Sequence, residues 1–98
     1  MSDSGREKMW TKGPWRISDY RHINADVGQR YIDAHDGIVC ETYRGRAIDE
    51  TVANATLIAV SPELYALAEK VAVHFADTDA PLGIEARAAL AKAEGRQP

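Results

Sequence analysis

The fold is decided by residues 49–63, DETVANATLIAVSPE, where strand-forming sequence gives way to helix-forming sequence. Ser61-Pro62-Glu63 predicts that one helix ends and another begins, because serine caps, proline suits the first helical position and glutamate complements the helix dipole. The preceding helix is expected over Glu50–Val60 with Asp49 as its N-cap. It is apolar nearly all round, which predicts burial on most sides against a sheet, with Asn54 bonded to a neighbouring backbone group.

Two more helices are expected after this junction. The second carries an apolar stripe at helical spacing, formed by Leu64, Leu67, Ala68, Val71 and Phe75. The third runs from about Leu82 to Glu94, and its many alanines permit close backbone approach. Gly95 is a natural residue to end it. Because the loop around residues 77–81 is short, the last two helices should pair antiparallel.

The sequence before residue 49 predicts strands and turns. Residues 15–18 alternate apolar and polar, which is typical of a half-buried strand with Trp15 and Ile17 facing the core. A second strand is expected at residues 22–24, followed by a turn at residues 26–28.

A β-hairpin is predicted between Arg30 and Tyr43. The pair Asp36-Gly37 suits a type I′ turn, and β-forming residues flank it on both sides. With this turn, Ala34 would lie opposite Val39 and Ile32 opposite Glu41. Neither face of the resulting hairpin is cleanly apolar, so both orientations stay open.

Strands followed by helices indicate an α+β fold. We expect a small antiparallel sheet of three to four strands in the N-terminal half, packed against two to three C-terminal helices. The expected organisation is a mobile N-terminal tail over residues 1–9, one domain over residues 10–94 and a C-terminal tail over residues 95–98. A chain of 98 residues builds only a small core, so a homodimer is also plausible.

The composition excludes several classes of protein. The chain is 45% hydrophobic and 28% charged, which is typical of a globular domain. Its net charge is −3, with four Lys/Arg against eight Asp/Glu from Ala47 onward, which argues against direct nucleic-acid binding. The longest strongly apolar stretch, residues 55–60, is far shorter than the roughly 20 residues that cross a bilayer. We therefore expect a cytoplasmic protein without membrane contact.

The residues that could carry catalysis or bind a metal form no recognisable motif. Cys40 stands alone, and no two of His22, His35 and His74 are spaced as metal ligands. We expect Cys40 to be a small buried hydrophobe, His74 a half-buried packing residue and His35 a solvated hairpin residue. No metal, cofactor or catalytic residue is predicted, and an enzyme that uses Cys40 or a histidine is the weakest alternative.

The strand half is rich in arginine and aromatic residues, which are the types enriched at protein interfaces. The same types could stack on a nucleotide and neutralise its phosphates. Alternatively, Trp10 and Tyr43 cover the sheet and the arginines are merely solvated. The candidate binding residues are Trp10, Arg16, Tyr20, Arg21, His22, Tyr43, Arg44 and Arg46.

Two stretches resemble a family of small proteins from tailed bacteriophages and prophages. Residues 11–15, TKGPW, are similar to the family's T-x-G-P-W opening, and residues 53–64 are similar to its A-N-A-x-L-I-A-x-x-P-x-L-L helix pair. Tyr65 replaces the second leucine of that motif. The resemblance implies a phage accessory protein that acts in the bacterial cytoplasm, and it implies no catalytic residue.

Three functions follow as hypotheses. The first is a non-enzymatic protein that occupies the surface of a host protein or complex, in particular a defence complex such as CRISPR–Cas. The second is a protein that sequesters a small molecule such as a signalling nucleotide, through Arg16, Arg21, Arg44 or Arg46. The third is the enzyme that uses Cys40 or a histidine.

Overall fold

The computed structural model describes residues 10–43 and 45–96 of the chain. Their order of elements confirms the α+β prediction, because the strands occupy the N-terminal half and the helices follow. The predicted N-terminal tail, Arg44 and residues 97–98 lie outside the described residues. The elements are β1 (Arg16–Ile17), a 3₁₀ turn (Ala25–Val27), β2 (Tyr31–Ala34), β3 (Gly37–Glu41), α1 (Ile48–Ala59), α2 (Ser61–His74) and α3 (Pro81–Ala93).

The described residues form two compact units. Residues 11–63 make up one, here called the sheet unit, and Trp10 with residues 64–96 makes up the other, here called the helix unit. The division falls inside α2, between residues 63 and 64. The expectation of a single domain over residues 10–94 stays a prediction.

The sheet is antiparallel in the order β1-β2-β3. Its core row consists of Ile17, Ile32 and Cys40, which are direct cross-strand neighbours. The register shifts between Ile32 and Asp33, so Val39 is an extra residue in β3 and forms a β-bulge. Because of the bulge, both Val39 and Cys40 pack against the core around Ile32. Trp15 and Ile17 also pack there, which confirms their predicted inward orientation.

The hairpin lies where it was predicted, but its register was wrong. Ala34 pairs with Gly37 and Ile32 with Cys40, so the two turn residues are His35 and Asp36. A type I′ turn over Asp36-Gly37 would require a positive φ at Asp36, and in the described chain only glycines have one. Gly37 has a φ of 140° and begins β3.

The predicted strand at residues 22–24 was also wrong. His22 is buried, residues 23–24 form a turn, and the 3₁₀ turn Ala25–Val27 follows. Gly28 ends this turn in the left-handed conformation with a φ of 97°, and its N–H bonds to the carbonyl of Ala25. The turn expected at residues 26–28 is therefore present. It is part of a longer turn that begins at residue 23, where a strand had been predicted.

Helix α1 packs on β1 and β2, as predicted, but only one of its faces is buried. Thr51, Ala55 and Ala59 are buried, whereas Leu57 is 59% exposed and Asn54 is exposed. The expected all-round burial and the buried hydrogen bond of Asn54 were therefore wrong. Asp49 is not the N-cap: that position is Ala47, and Asp49 lies in the first turn.

The break between α1 and α2 is at the predicted place. Helix α1 ends at Ala59, and Val60 separates it from α2. The hydroxyl of Ser61 donates to the carbonyl of Leu57 at 3.3 Å, so this side chain bonds the end of α1. The peptide bond between Gly13 and Pro14 is cis, and a Cβ on Gly13 would lie 2.7 Å from Cβ of Pro62.

Contacts at both ends of α2 and α3 confirm their antiparallel pairing. Tyr65 donates to the carboxylate of Glu94 at one end, and Phe75 lies against Gly83 at the other. The buried residues of α3 are Gly83, Ala86 and Leu90. Gly95 takes a φ of 76° after the helix, which confirms its predicted role as the residue that ends it.

The apolar stripe predicted on α2 is only partly covered. All fourteen residues of α2 are described, and none of them is buried. Leu64 and Leu67 are 49% and 58% exposed, and Val71 is half-buried. His74 is exposed and packs edge-on against Phe75, so its predicted partial burial was wrong.

Candidate functional site

The face of the sheet opposite α1 gathers side chains that the core does not use. Neighbouring residues in a strand point to opposite faces of the sheet. Because the core row of Ile17, Ile32 and Cys40 faces α1, the residues next to them in each strand point to the face away from α1. We call this set of residues the open face. It consists of the cross-strand row Arg16, Asp33 and Ile38, the pair Tyr31 and Glu41, and the residues Tyr20 and His22 that contact Tyr31.

His22 fixes the centre of the open face. Only 4% of this residue is exposed, and its ring lies 4.4 Å from the ring of Tyr31. Its Nδ1 accepts the backbone N–H of Asn24 at 2.9 Å, so the ring proton is on Nε2, which lies 2.9 Å from Oε2 of Glu41. Nε2–H therefore donates to the carboxylate of Glu41. The contacts with Tyr31 and Glu41 hold the turn at residues 22–24 against β2 and β3, and the bond from Asn24 closes the turn itself.

A second group of hydrogen bonds ties the same turn to the end of the hairpin. Buried Gln29 donates from Nε2 to the carbonyl of Thr42, and the backbone N–H of Arg30 donates to the Thr42 hydroxyl at 3.1 Å. The Arg30 guanidinium donates to the carbonyl of Ala25 at 3.0 Å. These bonds fix the backbone at both ends of the 3₁₀ turn Ala25–Val27, next to the strands that form the open face.

Two apolar side chains project from this fixed backbone. Tyr20 is 74% exposed, with its ring 6.0 Å from that of Tyr31, and Ile23 is 87% exposed beside buried His22. The N–H of Tyr20 bonds to the hydroxyl of Ser18 at 2.9 Å, which positions its backbone. Exposed apolar groups on an ordered backbone are typical of binding surfaces.

Asp33 and Arg16 place charge next to these apolar groups. Oδ1 of Asp33 is buried and accepts no hydrogen bond from the described residues. Arg16 is its cross-strand neighbour, but the Arg16 guanidinium lies 3.8 Å from Asp19. A buried acceptor without a donor costs about 1–3 kcal/mol.

The structure brings together only part of the predicted site. Arg16, Tyr20 and His22 belong to the open face, and Arg21 is exposed in the segment between Tyr20 and His22. Trp10 belongs to the helix unit, where its ring is 4.8 Å from that of Tyr65 and perpendicular to it.

The other predicted residues have contacts of their own. Tyr43 is 81% exposed, and its ring lies against Gly45. Arg46 bonds to Glu50 at 3.3 Å, and Arg44 lies outside the described residues. Among the described residues, Arg16 contacts Asp19 and Arg46 contacts Glu50, and the two guanidinium groups do not contact each other.

Sequence reasoning missed four members of the open face: Tyr31, Asp33, Ile38 and Glu41. Ile38 and Glu41 share a side only because of the bulge at Val39, which no sequence signal located. Alternation along β2 groups Tyr31 with Asp33, on either side of Ile32. What was missing was the knowledge that Ile32, between them, faces α1.

Cys40 and the histidines are the groups on which an enzymatic function would depend. Burial raises the pKa of the Cys40 thiol above its usual range, which favours the unreactive protonated form. Both ring nitrogens of His22 are engaged, and His35 is exposed in the hairpin turn. Within residues 10–43 and 45–96, no three His, Cys, Asp or Glu side chains are placed to hold a metal ion.

A groove in the helix unit combines apolar and charged groups. It is lined by Glu69, Ala72, Val73, Arg87, Leu90, Glu94 and Arg96. Its charged groups already have partners within the chain: Glu94 accepts from Tyr65 and Arg96, and Arg87 donates to the carbonyl of Phe75. No helix in the described part of the chain has both the length and the apolar character needed to cross a membrane.

Comparison with known families gives one match. A family model described as Salmonella phage P22 protein Y8K6 matches residues 1–97. The chain belongs to this family. Membership confirms the phage origin that the resemblance implied, while the short motif signature itself stays a prediction. Neither a curated protein nor a solved structure matches the chain.

Proposed function

We propose that this member of the Y8K6 family is a phage accessory protein that binds a bacterial host protein through the open face and catalyses no reaction. One observation carries the proposal: Tyr20 of the open face is 74% exposed, and Ile23, which follows the buried and fully hydrogen-bonded His22, is 87% exposed. Large apolar groups at such exposure contribute nothing to the core, whereas they would bury substantial area in a complex.

The rigid support behind these residues makes the surface suitable for tight binding. Association is opposed by the entropy lost when side chains and loops become ordered. The bonds of His22, Gln29 and Thr42 have already ordered this backbone in the free protein. Tyrosine adds large contact area with few rotatable bonds, which is one reason why it is enriched at energetically important positions of interfaces.

The proposed partner is a host defence complex that handles nucleic acid. The phage family supports a host target, and the net charge of −3 supports competition for a basic surface. Asp33 and Glu41 on the open face would supply part of that charge, and Arg16 would make the contact selective for a partner carboxylate. The binding is proposed to block access of nucleic acid, so no chemistry by the chain is required.

The test measures cleavage of target nucleic acid by purified nucleic-acid-guided nuclease complexes of a bacterial host. Wild-type protein should inhibit cleavage in proportion to its concentration. Tyr20→Ala should weaken inhibition at least about tenfold, because truncating a central tyrosine commonly removes more than about 1.4 kcal/mol of binding free energy. Val73→Ala is the matched control, since Val73 is 76% exposed in the helix unit and should leave inhibition unchanged.

Two results would overturn the proposal at different levels. If the wild-type protein leaves nucleic-acid binding and cleavage by every such complex unchanged, the defence target is wrong. If a bound host protein is found by another route and Tyr20→Ala binds it as tightly as Val73→Ala does, then the open face is not the binding surface.

A further inference from the structure

Helix α2 carries an apolar stripe that the described chain leaves exposed. Leu64 and Leu67 are 49% and 58% exposed, and half-buried Val71 continues the stripe two turns after Leu64. The spacing of three and four residues matches the a and d positions of a heptad, with Leu64 and Val71 at a and Leu67 at d. Such a stripe packs against a second helix more readily than against a flat surface.

Two opposite charges flank this stripe on one side. Glu63 and Lys70 each precede an a position, so they occupy successive g positions. They are seven residues apart, about 10 Å along the helix, which is too far for a bond within the chain. Both are exposed, and neither has a partner among the described residues.

The positions of these two charges indicate that the partner is a second copy of α2 and that it runs antiparallel. In an antiparallel helix pair, g positions face g positions of the other helix. A second α2 that runs antiparallel would place its Lys70 against Glu63, and its Glu63 against Lys70. The same register places Leu64 of each copy opposite Leu67 of the other. In a parallel pair these charges would face the e positions, which are Ala68 and Phe75.

We propose that two copies of this chain associate through antiparallel α2 helices, with paired Leu64 and Leu67 layers and two reciprocal Glu63–Lys70 ion pairs. The isologous arrangement covers the same patch on both copies, as twofold symmetry requires. It also buries leucines on a helix that has no buried residue within the single chain.

Sedimentation equilibrium across a concentration series tests the association. The wild-type protein should reach twice its chain mass of 10.8 kDa. Leu67→Glu should weaken dimerisation at least about tenfold, because it buries one carboxylate opposite a leucine in each of the two apolar layers. Val73→Glu is the control: Val73 is 76% exposed on the same helix and lies about 120–180° around the helix from the three residues of the stripe, so this variant should dimerise like the wild type.

Charge reversal then tests the direction. Glu63→Lys alone or Lys70→Glu alone should weaken the dimer about three- to tenfold, since each creates two like-charge contacts. The double variant Glu63→Lys/Lys70→Glu should return to the wild-type dissociation constant. Circular dichroism of each variant confirms that the helices are retained.

Several outcomes would overturn the proposal. A wild-type protein that remains monomeric throughout the series excludes the dimer. Equal dimerisation by Leu67→Glu and Val73→Glu places the interface elsewhere. A double reversal that is no tighter than the single variants excludes the antiparallel register. These results do not depend on the open face, so they leave the proposed host binding untouched.

Discussion

The sheet unit buries four polar side chains, His22, Gln29, Thr42 and Thr51, whereas the buried positions of the described helix unit are Gly83, Ala86 and Leu90. The sheet unit also holds Ile32, which is fully buried. The two units are therefore held together by different kinds of contact. Specific hydrogen bonds around one large apolar residue position the strands and turn, while small residues let α2 and α3 approach closely with little buried area.

The largest expected effect is on the core of the sheet unit. Ile32→Ala should lower the free energy of unfolding by about 3–4 kcal/mol, because Ile32 packs between α1 and the strands with no exposed surface. Leu90→Ala, the matched truncation in the helix unit, should cost about 2 kcal/mol, since Leu90 keeps 9% of its surface exposed. Urea unfolding followed by circular dichroism measures both. Equal losses would mean that the two units have cores of similar strength.

The next effect tests close approach in the helix unit. Replacing a helical glycine by alanine usually stabilises a helix by about 1 kcal/mol. Gly83→Ala should instead destabilise the protein by about 1–2 kcal/mol, because the new Cβ would lie 2.5 Å from Cβ of Phe75. Thermal unfolding gives the sign. Ala89→Gly is the control, because at this exposed position of the same helix the difference between alanine and glycine reflects helix propensity alone. A stabilised Gly83→Ala variant would contradict the tight contact between α3 and Phe75.

The two units also differ in how far their structure could be predicted. The order of elements, the break after Ala59 and the end of α3 before Gly95 depend on local signals from proline and glycine, and these predictions are confirmed. The two predicted N-caps were wrong, because Ala47 occupies the N-cap of α1 and the Ser61 hydroxyl bonds back to Leu57. The predicted hairpin register was wrong, because the register depends on one extra residue, Val39, which packs against the core around Ile32. The sequence of β3 alone contains no mark of that bulge.

The candidate site shows the same limit. Arg16, Tyr20 and His22 were predicted from their residue types, and all three belong to the open face. Trp10 has the same kind of side chain, yet its partner is Tyr65 in the helix unit. Composition therefore finds residues suited to binding, but which of them share a surface depends on strand pairing and on contacts between residues distant in sequence.

A smaller effect distinguishes ring packing from hydrogen bonding at the open face. His22→Phe keeps a ring against Tyr31 but leaves the N–H of Asn24 without its acceptor, so it should cost about 1–2 kcal/mol of unfolding free energy. Glu41→Gln keeps an oxygen that can accept from Nε2–H of His22 and should cost less than about 0.5 kcal/mol. Urea unfolding at neutral pH measures both. If Glu41→Gln proves the more costly change, the charge of Glu41 matters more than the bonds of His22.

The smallest effect is confined to alkaline pH and concerns Cys40. Burial raises the pKa of its thiol above the usual value of 9.0, so the folded protein holds this proton more strongly than the unfolded chain does. The resulting contribution to stability is fully present below pH 9 and is lost as the pH rises through the raised pKa. Alkylation by iodoacetamide, followed against pH, should show a midpoint above that of the urea-unfolded protein, with Cys40→Ala as the unreactive control. A midpoint below that of the unfolded chain would reveal a thiolate stabilised by its surroundings, and Cys40 would then become a candidate nucleophile in the sheet unit.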